Sequence, residues 1–318
     1  MKPRLVVVIA MALALASVTG AVSRVVSSTP SKPPAAHAAL APALAAYLGA
    51  FEPGAPPDYA PVATFAQTAG RPPNLAGYYS GWAQPFDVPF ANSLRTHGVI
   101  PFVQIDPTDA SVSAIADGSY DEYLRSYADS VRNFSDAVVI GFGHEMNANW
   151  YSWGYGHVPP STFIAAWRHL VTVFRQQGAD NVTWLWTVQS DEKGTGPVAS
   201  WWPGAKYVTW VGVDGYYYRR TDTFASVFGP TIDQVRKFTS DPVLLSETAV
   251  GPSAGPFSKI QDLFRGMSTY HTLGLVWFDK KQDSGPYHQD WRLEDDPPAE
   301  ISFRLGVKDE IVPVTPTS

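Results

Sequence analysis

The chain contains no cysteine in its 318 residues. That absence removes disulfides, thiol nucleophiles and thiolate metal sites together. Charge is sparse, at 16% of residues, and what there is leans acidic, with a formal net charge of −6. No basic footprint exists for a nucleic acid to meet, so none is expected as a partner. The first apolar run is not followed by a glycine-rich phosphate fingerprint, which argues against a nucleotide-binding open sheet. His144-Glu145 begins like the zinc-protease HExxH, but the fifth position is Ala148, which excludes that class. The seven histidines are scattered and no strand end carries a His-x-His pair, so a metal-dependent hydrolase lacks ligands. No metal and no cofactor is expected. Apolar runs stay short of the ~20 residues that a membrane-spanning helix needs.

What is abundant is apolar and aromatic. Hydrophobic residues make up 45% of the chain, with 11 Trp, 15 Tyr and 16 Phe. Such a composition belongs to globular proteins, and flat aromatic faces also stack on the apolar faces of sugar rings. Lys2 and Arg4 precede the apolar stretch Leu5 to Val18, the pattern of a secretory signal or, if uncleaved, an N-terminal anchor. Cleavage is expected after Ala38, in the small-x-small Ala36-His37-Ala38, or near Ala21. Ser27 to Ala39 is rich in Ser, Pro and Ala and reads as a linker. Residues 1–38 are therefore assigned to export and linker, 39–306 to the folded domain and 307–318 to a tail. The mature protein is expected outside the cell or anchored at the outer face of the membrane, and as a monomer.

From Ala46 one rhythm repeats: a short apolar run, then a segment of helical character. The runs are Tyr47–Phe51, Leu75–Tyr79, Val99–Ile105, Val138–Phe142, Val182–Thr187, Thr209–Val213, Val243–Ser246 and Leu275–Phe278. Between them lie helical candidates Tyr59–Ala69, Phe86–His97, Tyr120–Phe134, Ser161–Gln177, a weak one near Trp201–Lys206, Phe224–Phe238 and Ser258–His271, with Ala299–Leu305 closing. Eight strand–helix units in about 260 residues fit a single (β/α)8 TIM barrel, of class α/β. Uniformly apolar strands are what a sheet covered by helices requires. A doubly wound sheet is the rival fold.

Barrel chemistry sits at the carboxyl ends of the strands. Acids at those ends are Asp106, Glu145, Asp214, Glu247 and Asp279. Glu145, after strand four, and Glu247, after strand seven, lie nearly across the mouth from one another. Two such carboxyls suit a retaining glycosidase, one as nucleophile and one as acid/base. A second negative charge close by also keeps the acid protonated until the nucleophile is consumed. Asn147 is assigned either to a sugar hydroxyl or to its own loop. Trp186, the tryptophan nearest the end of strand five, is the better site candidate of that strand. Asp290-Trp291-Arg292 reads as a structural turn.

The stretch HEMNANWYSWG, with SET on a later strand and DGYYY between them, resembles glycoside hydrolase family 26, the β-mannanase family. The resemblance runs from about Tyr47 to Leu305. It implies a (β/α)8 barrel and double displacement, with Glu145 as acid/base and Glu247 as nucleophile. It also implies that His144 contacts the nucleophile or the sugar, that Trp150 lines the subsites and that Tyr216 donates a hydrogen bond to the nucleophile. Trp277 would be the floor beneath the reacting sugar. The family's arginine three residues before the histidine is replaced by Gly141. The expected function is a secreted retaining endo-β-glycanase acting on β-mannan, mixed-linkage glucan or xylan. The alternative is a silent carbohydrate-binding barrel at the cell surface. The expected partner is a polysaccharide or oligosaccharide, and a membrane only if the N-terminal segment is retained. One local problem remains: neighbouring strand residues face opposite ways, so His144 and Glu145 share the mouth only if the strand has ended or bulges there.

Overall fold

The computed structural model describes residues 40–283 and 288–312. The proposed export segment and the last residues of the tail lie outside them. Eight parallel strands close into a barrel in sequence order. They are β1 (Tyr47–Phe51), β2 (Leu75–Gly81), β3 (Ile100–Asp106), β4 (Val138–Phe142), β5 (Val182–Gln189), β6 (Trp210–Tyr217), β7 (Val243–Val250) and β8 (Gly274–Phe278). Closure is direct, since β1 pairs with both β2 and β8, through Gly49 with Leu75 and Tyr47 with Gly274.

The covering helices are α1 (Ala60–Ala69), α2 (Val88–Thr96), α3 (Val112–Ala116), α4 (Asp121–Phe134), α5 (Pro160–Gln176), α6 (Phe224–Val227), α7 (Gly229–Val235), α8 (Pro256–Thr269) and α9 (Pro297–Glu310). Each major helix buries one stripe. On α4 the stripe is Leu124, Tyr127, Val131 and Phe134, and Asp121 and Glu122 in its first turn complement the positive end of the helix. On α5 it is Phe163, Trp167, Leu170 and Phe174.

Alternation along the strands divides the interior into two cores. Tyr47, Phe102, Val139, Leu185, Trp210, Leu244 and Val276 fill the barrel itself. The other side of the same strands packs with the helices, as Trp184, Trp186 and Trp277 do.

The barrel and eight-strand count match the expectation; several boundaries differ. Strands β5, β6 and β7 run on to Gln189, Tyr217 and Val250, past Thr187, Val213 and Ser246, which were taken as their ends. Inward positions turn polar near the mouth because they face the site, not because pairing stops. The single helix expected over Phe224–Phe238 is two, because the Gly229-Pro230 pair opens α7 as a new helix after Phe228. The stretch near Trp201–Lys206 forms two short 3-10 turns, Val198–Trp201 and Ala205–Tyr207. The closing helix continues through Gly306, where a Cβ would lie 2.1 Å from the Phe264 ring of α8, so 307–310 belong to α9 rather than to a tail.

Candidate active site

The hydrophobic floor of the barrel is capped by a polar layer. Gln104 Nε2 donates to Thr187 Oγ1 at 3.1 Å, and Ser246 Oγ donates to Asp214 Oδ1 at 2.5 Å. Gly141 makes this layer possible on β4, for a Cβ there would stand 1.8 Å from Gln104 Oε1. The position occupied by arginine in the resembled family is thus filled from β3, by an amide.

Above the layer, two backbone irregularities deliver the glutamates. On β7 the register shifts between Gly212 and Asp214 of the partner strand, and Leu244 pairs with Gly212 while Glu247 pairs with Asp214. The extra residue lets Ser246 bond Asp214 while Glu247 also faces the mouth, as a bulge does. On β4 regular structure stops at Phe142. Gly143 and Glu145 both take positive φ, 54° and 53°. Gly143 N–H bonds Ile105 of β3 and Glu145 N–H bonds Thr187 of β5, so the coil is tied on both sides. A non-glycine residue in this region costs about 1–2 kcal/mol. The coil resolves the facing problem: His144 turns toward β3 and Glu145 into the mouth.

One oxygen each of Glu145, Asp214 and Glu247 lies within 4.8 Å of the others. All three carboxyls are buried. Glu247 accepts hydrogen bonds from Tyr79 at Oε1 (2.5 Å) and from Tyr216 at Oε2 (2.7 Å). Glu145 accepts the indole N–H of Trp150 at Oε2, 2.7 Å away, while the Trp150 ring is 42% exposed. Burial pushes Glu145 up to about 7; the charge on Glu247 adds to this, and His144 and the Trp150 indole oppose it. Burial also raises Glu247, against the pull of His144, Tyr79 and Tyr216. Burial, with the charges of Glu247 and Glu145 adding, raises Asp214 well above the usual carboxylate range, and His144 and the Ser246 hydroxyl oppose this.

His144 is held at both ring nitrogens, by Asp106 at 2.8 Å and by the Tyr151 hydroxyl at 3.1 Å. Burial disfavours its charged form, yet Asp106, with Glu145 and Glu247 adding, lifts it to about 10. The imidazolium acts on both glutamates through space, and its contacts go to Asp106 and Tyr151 rather than to the nucleophile or the cleft. Replacing Asp106 with Asn therefore has two expected results. Glu145 loses part of the positive charge that holds it down, so the alkaline limb of the pH–rate bell moves upward; on Glu247 the lost pull of His144 is offset in part by the lost repulsion of Asp106, so the acid limb moves less. Stability at pH 7 falls by about 3 kcal/mol, the scale for breaking a buried pair. His144's folded value lies above its unfolded ~6.5, so its contribution is complete below that pH and is lost as pH rises through about 10. Melting temperatures of both proteins from pH 6 to 10 check this: the gap narrows at the alkaline end.

A cleft of about 260 Å³ surrounds the pair. Glu145, Trp150, Tyr216 and Glu247 line it, as expected from the sequence. Four expected site residues do not: His144, turned to Asp106 and Tyr151, and three more. Trp277 is fully buried on the outer side of β8 against Phe303 of α9, and its indole bonds the Trp291 carbonyl. Trp186 packs outward on Trp202 and Phe238. Both errors are errors of parity: Val276 and Leu185 are the inward residues of those strands. Asn147 is buried, its amide clamping the Gln189 backbone at 2.9 and 2.8 Å, so it serves its loop.

The aromatic wall comes instead from Phe278 and from Trp291, which packs on Tyr216 at 5.0 Å. The turn role assigned to Trp291 was incomplete. Its indole also bonds Gln282 at 3.2 Å. Tyr79, 40% exposed, is the other omission. It lies 168 residues from Glu247, and only the closed barrel brings them together.

The family model for glycosyl hydrolase family 26 matches residues 106–294, from the end of β3 through the Trp291 loop. The chain belongs to glycosyl hydrolase family 26. Endoglucanase H of Acetivibrio thermocellus is 26% identical over 80% of this chain, and the chain spans only 29% of that protein's length. Bacillus subtilis mannanase man26 shares the fold with a TM-score of 0.62 at 18% identity, over 84% of this chain and 86% of that one. The catalytic domain of the Bacillus sp. JAMB-750 endo-β-1,4-mannanase gives 0.65 at 13% identity, over 84% and 86%.

Proposed function

We propose that this family 26 barrel is a retaining endo-β-glycanase that uses Glu247 as nucleophile and Glu145 as acid/base. The carrying observation is the spacing of the two carboxyls, with oxygens within 4.8 Å of each other. Retention needs carboxyls about 5–5.5 Å apart, and inversion needs about 6.5–9.5 Å to seat a water. The environments of the pair are also unequal in the sense the reaction needs. Two phenols hold Glu247 ionised for attack, whereas Glu145 at about 7 keeps a proton for the leaving oxygen. Once Glu247 is esterified its charge is gone, Glu145 ionises more readily, and it can take the proton of the incoming water. Asp214, held by Ser246, supports the pair from below.

The proposed substrate is a backbone of neutral β-linked hexoses, with β-mannan first, in keeping with the mannanases that share the fold. Mixed-linkage β-glucan is the second reading. It is favoured by Gln104 and Gly141 standing where the family arginine is expected, and by a relative named as an endoglucanase over most of the chain. Incubation with mannan, mixed-linkage glucan and xylan, with products separated by thin-layer chromatography, tests the reading. Oligosaccharides from one polymer are expected. Thermal stabilisation by a glycan with no product from any would instead support the silent binding barrel. Export of the chain by its first 38 residues remains part of the proposal.

A further inference from the structure

The cleft is asymmetric about the two glutamates. Tyr79 and Tyr216 bond Glu247, and Phe278 and Trp291 complete its side. Beside Glu145 stand Trp150, Gln189 and Glu192. The nucleophile attacks the anomeric carbon from the face opposite the departing oxygen, and Glu145 must reach that oxygen. The leaving sugar therefore lies on the Glu145 side, over β4 and β5.

Glu192 occupies that side in a fixed position. It sits in the loop after β5, and this loop is clipped to the one carrying Trp150. Asn149 N–H bonds Gly194 O at 3.1 Å, and Gly196 N–H bonds Asn147 O at 2.7 Å. Ala148 and Thr195 form an antiparallel bridge. Within the loop, Glu192 N–H bonds Thr195 Oγ1 at 3.2 Å. The Glu192 carboxylate is half-buried, and Gln189 Nε2 donates to its Oε1 at 2.8 Å. One amide N–H uses one of roughly four lone-pair sites on a carboxylate, so acceptor capacity is left for a ligand. A neutral sugar offers what this group lacks: vicinal hydroxyl donors. The loop is clamped on its neighbour, which makes it suitable for recognition.

We propose that Glu192 is a specificity-determining residue for the leaving sugar, its carboxylate accepting hydrogen bonds from hydroxyls of the first neutral pyranose beyond the scissile bond. The inference rests on the glycanase reading above and adds to it a side of the cleft and a residue. Its test compares two substrates with the same glycone, an oligosaccharide and an aryl glycoside. Only the first places a sugar in front of Glu192. Wild type, E192A and E192Q are each assayed at their own pH optimum, because the charge on Glu192 also raises Glu145. In E192A the ratio of kcat/KM on the oligosaccharide to that on the aryl glycoside is expected to fall roughly tenfold or more, the scale of a lost hydrogen bond to a charged group. E192Q, which keeps one carbonyl acceptor, is expected to fall less. Equal losses on both substrates, or no change in the ratio, overturn the inference alone; so does a loss of the same size on an alkyl glycoside of the same glycone, which needs the Glu145 proton but places no sugar in front of Glu192. A wild-type chain inert toward both substrates overturns the glycanase reading and this inference with it.

Discussion

Glu247→Ala is expected to lower turnover of the chain's glycan by roughly 10⁴-fold or more, the scale seen when a nucleophile is removed. Azide is expected to restore part of it as a glycosyl azide of inverted configuration. The loss follows from the lack of a substitute. Asp214 also has an oxygen within 4.8 Å of the pair, but it is buried, it does not line the cleft, and Ser246 holds its Oδ1. A carboxyl held beneath the cleft is not placed to make an ester at the anomeric carbon. Truncation to alanine opens the space between Tyr79 and Tyr216, and both hydroxyls keep pointing at it. A small anion placed there attacks from the face that Glu247 used. Wild-type-like turnover in this variant contradicts the assignment, and a retained azide product moves the nucleophile elsewhere.

Glu145→Ala carries the second large effect, a loss of about 10²–10⁴-fold on substrates with a sugar leaving group. A sugar alkoxide leaves poorly unless protonated, whereas an aryl oxide with a low pKa does not need the proton. Formation of the glycosyl-enzyme from an aryl glycoside therefore survives, and its hydrolysis becomes slow. Azide then takes the place of the activated water and gives a product of retained configuration. The alkaline limb of the rate profile, which Glu145 at about 7 sets in the wild type, disappears in the variant. The sign is fixed by the acid role: activity falls as pH rises through that value because the proton is lost. An unchanged alkaline limb assigns it to another group.

How much of this was legible in the sequence depends on the range of the contact. The barrel was legible because eight apolar runs alternate with helical stripes, a local property repeated along the chain. Glu145 and Glu247 were legible because each ends such a run and barrel geometry sets the ends of β4 and β7 facing. Parity was not. Near the mouth the β7 bulge and the coil after Phe142 break the two-residue period, so counting inward from a strand end fails. Trp186 on β5 was chosen as the tryptophan nearest the strand end and Trp277 on β8 through the family resemblance; neither reason says which face of the strand the residue takes, and Phe278 was passed over. Tyr79 and Trp291 were missed for another reason. Their roles depend on partners 168 residues away and across a loop, and no local signal marks a tyrosine or tryptophan that will close a ring of strands. Gly141 was read as a missing arginine; the space is in fact taken by Gln104 from the neighbouring strand.

The measurement closest to the central claim is covalent trapping. A 2-deoxy-2-fluoro glycoside with a good leaving group forms the ester but releases it slowly, because fluorine destabilises the oxocarbenium-like transition state of hydrolysis. Digestion and mass spectrometry then locate the added sugar. It is expected on the peptide containing Ser246, Glu247 and Thr248, with the mass on Glu247. An adduct on Glu145 or Asp214, or turnover with inverted products and no adduct, contradicts the two-glutamate mechanism.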